Sequence, residues 1–411
     1  METALRQCNA LLTALFFLCY AYQFAYIPFG LHKARVELSA PLPQYRFAVL
    51  IAARNEEKVI GSLLASLAGQ TYPVTAYVIA DNCGDETAAI ARQNGARVYE
   101  RHDETHIGKG YALDALLRHI RAEKDGDYDG YFIFDADNLL SPNYIEEMAK
   151  SFALGHDIIT SYRMSRNFTE NWISAGYALW FLRESRYLNG ARMALRSSCA
   201  VSGTGFFFSR RIREKNKGWP FHLLTEDIEF SIHEILGGER IAYCPSAIFY
   251  DEQPADFRIS CRQRLRWAKG YLQVFRRYGA ALLRGIAQGR WACFDMAMAI
   301  MPAIVLTAAS LVCNAALLVP GLMNGSGLTP ALCSLFEMAG SMYVPLFLVG
   351  AITMVTEWER VDGKVWKKLL YVFTFPLFMF TYIPLSFAAL FCRVTWKPIP
   401  HTGRGMAVTK L

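Results

Sequence analysis

The chain has 411 residues, 53% of them hydrophobic, with a mean hydropathy of +0.16 and a formal net charge of +7. That apolar balance argues against an entirely soluble chain and for membrane segments beside a soluble domain, while the basic excess suits an anionic leaflet or a phosphorylated substrate. No nucleic-acid-binding module is legible, and the ten cysteines form no C-x-x-C pair, which reads as reduced, buried thiols rather than a zinc site or a disulfide framework.

Ala10 to Gly30 carries no charge and is long enough for one membrane span of about 20 residues. No small-residue cleavage site ends the run, which argues against a removed signal peptide. His32, Lys33 and Arg35 follow it, so the positive-inside rule puts this end in the cytoplasm and the N-terminus outside.

From Tyr45 to about Ile248 the pattern is that of an α/β domain. RFAVLIAAR reads as a strand, and Asn55 to Ala68 as a helix with Val59, Ile60, Leu63, Leu64 and Leu67 on its apolar face. Ala76 to Asp81 is a second strand, Gly84 to Asn94 a short helix, ARVYE a third strand, Gly108 to Arg121 a helix and Gly130 to Asp135 a fourth strand. Asp157 to Tyr162, Ser202 to Phe208 and Arg240 to Ile248 are further strands. Strands alternating with helices imply βαβ units and a largely parallel sheet.

The fourth strand carries the sharpest signal. YFIFDADN runs an aromatic and β-branched segment into Asp135 and Asp137, and carboxylates ending a buried strand are costly unless paired or on a metal. Residues two apart share a face of an extended chain, so both can converge on one hard cation such as Mg2+ or Mn2+. Ligands of open α/β sheets sit beyond the carboxyl ends of strands. The ordinary alternative is a polar turn, with Ser141 and Pro142 opening the next helix.

Beyond the domain, Asn171 to Asn189 and Asp256 to Tyr278 are amphipathic, basic and aromatic, suited to a membrane interface or to packing on the domain core. Three apolar stretches follow, Cys293 to Pro320, Leu332 to Val355 and Leu369 to Cys392. The uncharged connection Gly321 to Pro330 suits the outside, and Glu357 to Lys368, with Arg360, Lys364, Lys367 and Lys368, the inside. The tail residues Arg393, Lys397, Arg404 and Lys410 favour the cytoplasm. A re-entrant last segment, carrying Pro376 and Pro384, reconciles them if its freed backbone groups are buried in protein.

Several residues outside the Asp-x-Asp pair can carry chemistry. Asp81 ends a strand where a carboxylate can bind a base or ribose. Asn55, Glu56 and Glu57 lie just past the first strand at an expected helix N-terminus, a place for an anion or for ordinary capping. Gly108-Lys109-Gly110 opens a helix without Walker A spacing, its glycines letting backbone approach a phosphate and Lys109 supplying charge. The small residues around Thr204 leave room for an acceptor. Thr225, Glu226 and Asp227 start a helix, either as a cap with an acidic first turn or with a carboxylate as general base. Gln263, Arg266 and Trp267 fall on one helix face, offering an amide, a guanidinium for phosphate and an aromatic plane for a sugar.

Taken in order, AARNEE, ADNCGDET, GKGYAL, DADN, SGTGF, TED and QRLRW resemble the motifs of the membrane-embedded family 2 glycosyltransferases, among them the cellulose, chitin, hyaluronan and poly-N-acetylglucosamine synthases. The resemblance implies a GT-A, Rossmann-like catalytic domain inserted between transmembrane helices. It implies that Asp81 reads the uridine, that Asp135 and Asp137 meet the nucleotide-sugar diphosphate and its Mg2+ or Mn2+, and that Lys109 lies near that diphosphate. Asp227 then resembles the general base, Gln263, Arg266 and Trp267 the helix holding diphosphate and acceptor sugar, and Trp396 to His401 a tail element that closes over the nucleotide. Asn55 and Glu57 join the donor side, and Thr204 and Glu226 the acceptor and diphosphate side.

The expected organisation is an N-terminal span and linker (1–44), a cytoplasmic catalytic domain (45–255), an amphipathic helix with QRLRW (256–290), a membrane region of two or three spans (291–392) and a basic tail (393–411). The expected activity is that of an inverting hexosyltransferase at the cytoplasmic membrane, its catalytic domain facing the cytoplasm. It moves a glucose- or N-acetylglucosamine-type sugar from a UDP-sugar to a growing β-linked polysaccharide, in contact with the lipid bilayer and with export or accessory subunits. Two alternatives stand beside it: a non-processive transferase acting on a lipid acceptor, since one N-terminal span is fewer than several polymer synthases have, and a catalytically silent nucleotide-sugar-binding subunit.

Overall fold

A computed structural model describes residues 2–31, 38, 41–323 and 329–403. His32, Lys33, Arg35, Arg404 and Lys410, on which part of the orientation argument rests, lie outside the described residues. The chain divides into two compact units, one of Pro28–Asn167, Glu184–Pro254 and Thr395–Leu411, the other of Met1–Ile27, Phe168–Arg183 and Ala255–Val394.

The first unit is built on an eight-stranded sheet with the order β3-β2-β1-β4-β7-β6-β8-β5. Its strands are β1 (Phe47–Ala53), β2 (Thr75–Asp81), β3 (Arg97–Arg101), β4 (Gly130–Asp135), β5 (Leu139–Leu140), β6 (Ile158–Ser165), β7 (Phe206–Ser209) and β8 (Ile241–Asp251). β1 and β4 are apolar almost throughout and nearly fully buried, as strands covered on both faces must be. β1 pairs in parallel with β2 and β4, and β2 with β3. Their carboxyl ends therefore share one edge, where Ala52 lies opposite Asp135.

The expectation of a largely parallel sheet needs correction, because the other half is mixed. β7 runs antiparallel to both β4 and β6, β6 is parallel to β8, and β5 is antiparallel to β8. β7 is entered through Gly203 and Gly205, whose φ values of 81° and 65° suit glycine. This turn lays the Phe206–Ser209 strand back along β4. The rings of Phe132 and Phe207 then meet at 5.0 Å, with Phe47 5.5 Å from each.

Local boundaries differ where tertiary contacts override propensity. The helix expected from Asn55 begins at Ile60, since Asn55 is left-handed at φ 58° and belongs to a turn. The helix after Ser141 and Pro142 starts at Tyr144. Thr225 precedes the helix Glu226–Leu236 but gives it no side-chain cap, its hydroxyl being buried without a hydrogen bond among the described residues. The 171–189 segment is α-helical only over Trp172–Arg183 and continues as a π-helix over Glu184–Asn189.

In the second unit, three helices among the described residues are long and apolar enough to cross a membrane: Gln7–Leu31, which runs on into the first unit's sequence, Ala339–Thr356 and Val365–Phe391. A bent pair, Trp291–Ile300 and Ile304–Ala316, makes a fourth if it counts as one span. Polar groups on these helices pair with one another. Asn9 and Asn314 exchange amide hydrogen bonds of 3.0 and 2.8 Å, and the buried Asp295 accepts from Tyr22 and Tyr26 hydroxyls at 2.8 and 3.0 Å. The expectation of ten reduced cysteines fails at Cys8 and Cys313, which form a disulfide because the helices carrying them lie side by side. The last apolar stretch breaks at Thr381 between Val365–Phe380 and Tyr382–Phe391. There the buried Arg264 donates to the Phe378 carbonyl at 3.2 Å and to the Thr381 hydroxyl, so a side chain meets one carbonyl at the break.

At Gly130 an added Cβ would lie 2.1 Å from the ring of Phe207. Gly130→Ala is expected to lower stability by about 1–3 kcal/mol, read by thermal melting of the purified chain; an unchanged melt would show that the ring yields freely.

Candidate functional site

The site is assembled at the carboxyl ends of β1, β2 and β4. Asp135, last residue of β4, is fixed through its backbone: its N–H is shared between Thr204 Oγ1 at 2.9 Å and Asn138 Oδ1 at 3.1 Å. The Thr204 hydroxyl in turn donates to Asn138 Oδ1. This ties the DADN turn to the glycine turn before β7. Lys109 Nζ donates to Asp135 Oδ1 and, at 2.8 Å, to the Gly203 carbonyl. Asp227 also lies near that glycine, its Oδ2 3.8 Å from where a Gly203 Cβ would be. Asp135, Lys109, Thr204 and Asp227, far apart in sequence, thus surround one glycine.

Asp137 is buried. Its Oδ2 accepts from Glu252 N at 2.9 Å and its Oδ1 from Asn138 Nδ2 at 3.1 Å, while Arg166 donates to its carbonyl at 2.9 Å. Burial pushes its carboxyl up to about 7, against the lowering effect of His401. The tail closes on this carboxylate. His401 Nδ1 is 2.9 Å from Glu56 Oε2, and its Nε2 is 3.9 Å from Asp137 Oδ2. Burial alone would lower the imidazole, but Asp137, Glu56 and Glu252 outweigh it and hold it up to about 10. The Glu252 carboxylate accepts from Thr402 N at 3.0 Å, Thr402 Oγ1 at 2.6 Å and Gly403 N at 3.0 Å. Trp396 places its ring 5.5 Å from the Arg54 guanidinium.

The remaining donor-side candidates sit around β2. Asp81 pairs with Arg101 at 2.5 Å. Asn55 accepts from Gly84 N at 2.8 Å, joining the β1 and β2 loops. Glu57 points to that second loop, accepting from Glu86 N at 3.2 Å, so Glu56 is the glutamate beside the tail. Glu226 is buried at its helix start. Gln263, Arg266 and Trp267 belong to the other unit, on the helix Phe257–Ala287. There Trp267 is met edgewise by Tyr177 and Phe181, with centroids 5.8 and 6.1 Å away.

Sequence reasoning passed over Glu252, Asp251, Arg163 and Arg264. The charged pair Asp251-Glu252 ending an apolar strand was the available signal for two of them. Asp251 binds Arg163, which also donates to the Ser202 carbonyl at 3.0 Å. Asp251 Oδ1 is buried with no hydrogen bond among the described residues.

Asp135 and Asp137 offer carboxylate oxygens of the kind Mg2+ or Mn2+ takes, with Glu56 beside His401. Among the described residues no three such side chains converge closely enough to hold an ion alone. Mg2+ is commonly held by only one or two carboxylates, with phosphates and water completing its shell.

A family model described as glycosyltransferase like family 2 matches residues 43–270. A probable glycosyltransferase of Bacillus subtilis, YdaM, is 26% identical over 58% of this chain and 58% of its own length. A beta-monoglucosyldiacylglycerol synthase of Synechocystis is 25% identical over 58% of this chain and 50% of its own length. A 4,4'-diaponeurosporenoate glycosyltransferase of Staphylococcus aureus is 49% identical over 30% of this chain and 34% of its own length. The chain therefore spans between a third and three-fifths of the curated relatives it matches here. Among solved structures, a mannosyltransferase of Pyrobaculum calidifontis in complex with GDP-Man and Mn2+ is similar at a TM-score of 0.60 and 16% identity, over 94% of this chain and 99% of that one.

Gly110, read above as room for a phosphate, has a packing reason: an added Cβ would lie 2.0 Å from the Phe221 carbonyl oxygen. Gly110→Ala is expected to displace the start of the Lys109 helix and cost about 1–3 kcal/mol or more. Gly84→Ala, with none of the described residues within 4 Å of its added carbon, should melt like the parent.

Proposed function

We propose that this chain, which belongs to the glycosyltransferase like family 2, transfers a sugar from a UDP-sugar to a hydroxyl of a membrane-held acceptor with inversion at the anomeric carbon. Its fold is GT-A-like, and candidate membrane helices flank the catalytic domain. The observation that carries the reading is the gathering of Asp135, Lys109 and Asp227 around Gly203 at the end of β4. It sets a carboxylate that can take a proton beside a cation that can meet a leaving diphosphate.

In this reading Asp227 accepts the acceptor's hydroxyl proton as that oxygen bonds to the anomeric carbon. The bond from that carbon to the diphosphate oxygen breaks on the opposite face, and UDP leaves with the electron pair. Lys109 turns from Asp135 toward the diphosphate and offsets its developing charge, a contribution largest in a site that excludes water. Asp135 and Asp137 would hold Mg2+ or Mn2+, which supplies further charge neutralisation to the diphosphate. The tail residues Trp396 to Gly403 cover this edge and move for the donor to enter. On sequence grounds Gln263, Arg266 and Trp267 serve the acceptor side.

A lipid acceptor is favoured by the long apolar helices and by relatives whose names specify lipid substrates. The second reading, extension of a β-linked polysaccharide with export subunits, is favoured by the QRLRW helix. Both place the domain on the cytoplasmic face of the cell membrane.

Purified chain with Mn2+ and a panel of UDP-sugars is expected to release UDP, and the product's mass separates one added sugar on a lipid from a polymer. Asp227→Asn should cut transfer by about 10²–10⁴-fold with donor binding retained; full activity in that variant would sink the base assignment.

A further inference from the structure

Resting on the reading that Lys109 meets the leaving diphosphate and Asp227 takes the acceptor's proton, we infer that Glu229 is a positioning residue that fixes the spacing between them. Lys109 opens the helix Lys109–Ala122, and Asp227 lies in the first turn of Glu226–Leu236. The segment from Trp219 to Leu223 packs against both helices.

On one side its backbone leans on the Lys109 helix. An added Cβ at Gly110 would meet the Phe221 carbonyl oxygen and, at 3.2 Å, the His222 Cα. The next side chain of that helix, Tyr111, stacks on the His222 ring with centroids 4.2 Å apart and planes at 6°. On the other side the segment is held by the Asp227 helix. Glu229 Oε2 accepts from His222 N and Leu223 N, both at 3.0 Å. Phe230, the next residue, has its ring 5.0 Å from that of Trp219 and 5.3 Å from that of Phe221.

Glu229 is fully buried. Two residues beyond Asp227, it faces nearly the opposite side of the helix, so it can grip the segment while Asp227 stays near Gly203. The helix is also tied to the chain entering the Gly203 turn, since Ser231 Oγ donates to the Asp227 carbonyl at 2.9 Å and accepts from Val201 N at 3.0 Å. Ring contacts alone are non-directional and would let the segment slide. Bonds from two consecutive amides to one ionised oxygen are strong and set its register. Shifting the Lys109 helix start relative to Asp227 then requires breaking those bonds or the Gly110 contact. A misplacement of about 1 Å between reacting groups can cost about a hundredfold in rate.

The test compares Glu229→Gln with Glu234→Gln in the full-length chain in detergent. Glu229→Gln keeps the shape and removes the charge that strengthens the two bonds. Glu234 is the matched control, equally buried on the same helix and bonded to Lys215 Nζ at 2.9 Å and Asn216 Nδ2 at 2.6 Å, at the end of a helix that carries none of the site residues. Amide hydrogen exchange is read first. In Glu229→Gln, His222, Leu223 and the first turn of the Lys109 helix, from Ala112 to Leu116, should exchange faster by about tenfold or more, as for one lost bond to a charged group. In Glu234→Gln they should stay parental. Kinetics are read second, on the UDP-sugar that the chain turns over with Mn2+. In Glu229→Gln, kcat for UDP release should fall by about tenfold or more with the donor KM within about threefold, and Glu234→Gln should change neither. Parental exchange at Ala112 to Leu116 in Glu229→Gln overturns the inference, as does equal loosening there in Glu234→Gln. A parental kcat in a Glu229→Gln chain whose exchange has changed overturns it as well. Should Glu229→Gln fail to fold, Glu229→Asp, which keeps the charge and shortens the reach, is read by the same outcomes. Exchange does not depend on turnover, so a loosened Lys109 helix in a chain that turns over no UDP-sugar supports the coupling and defeats the transfer reading alone.

Discussion

A carboxylate at the end of a buried strand is expensive to desolvate, and the catalytic unit is arranged around meeting that cost. Asp135 and Asp137 follow the apolar run of β4, with water largely excluded behind them. Each is compensated by segments that arrive from elsewhere: Lys109 from a helix start, Asn138 and Thr204 from two turns, the Glu252 backbone from beyond β8, and His401 from the tail. The cations and donors that make these carboxylates tolerable are of the kind that also binds phosphate. Stabilising the fold and preparing the site are here one arrangement.

The scaffold makes this convergence possible by mixing strand directions. The parallel half brings β1, β2 and β4 to a common edge. The reversed β7 then delivers the Gly203 turn against Asp135, where a continued parallel connection would have ended its strand there instead. In the second unit, the same cost falls on polar groups carried by apolar helices. Asn9 with Asn314, Asp295 with two tyrosines, and Arg264 with a broken helix end each close a polar account inside an apolar bundle.

What could be read in the sequence was what depends on local pattern. The buried runs of β1, β2 and β4 announced themselves by composition, and Asp81, Asp135 and Asp227 by the elements they end or begin. The expectation of a helix from Asn55 failed because that residue's left-handed turn is set by a bond to Gly84 N on another loop. Glu56 was not separable from Glu57 without knowing where His401 lies. Gly110 looked like room for a ligand, whereas the Phe221 carbonyl explains it. Arg264, inside the QRLRW string, was passed over because the string's other residues form a tidier face. Its partners at 378 and 381 are more than a hundred positions away. Direction within the sheet was equally illegible, since alternating strand and helix patterns do not say which way a short strand such as β7 runs.

The contacts of the tail also bear on how the molecule comes together. Glu56, Asp137 and Glu252 are translated before the apolar helices of residues 291–391, and His401 and Thr402 after them. Contacts of such wide sequence separation close late, because the intervening chain has first to be ordered. A nascent chain would thus hold a sheet with its carboxylates still uncovered while the helices are being inserted. The cover over the strand ends would arrive only once residues 291–391 had emerged. Placement in the bilayer and covering of the carboxylate edge would then be successive events in one biosynthetic sequence, ordered by nothing more than the position of a histidine in the chain.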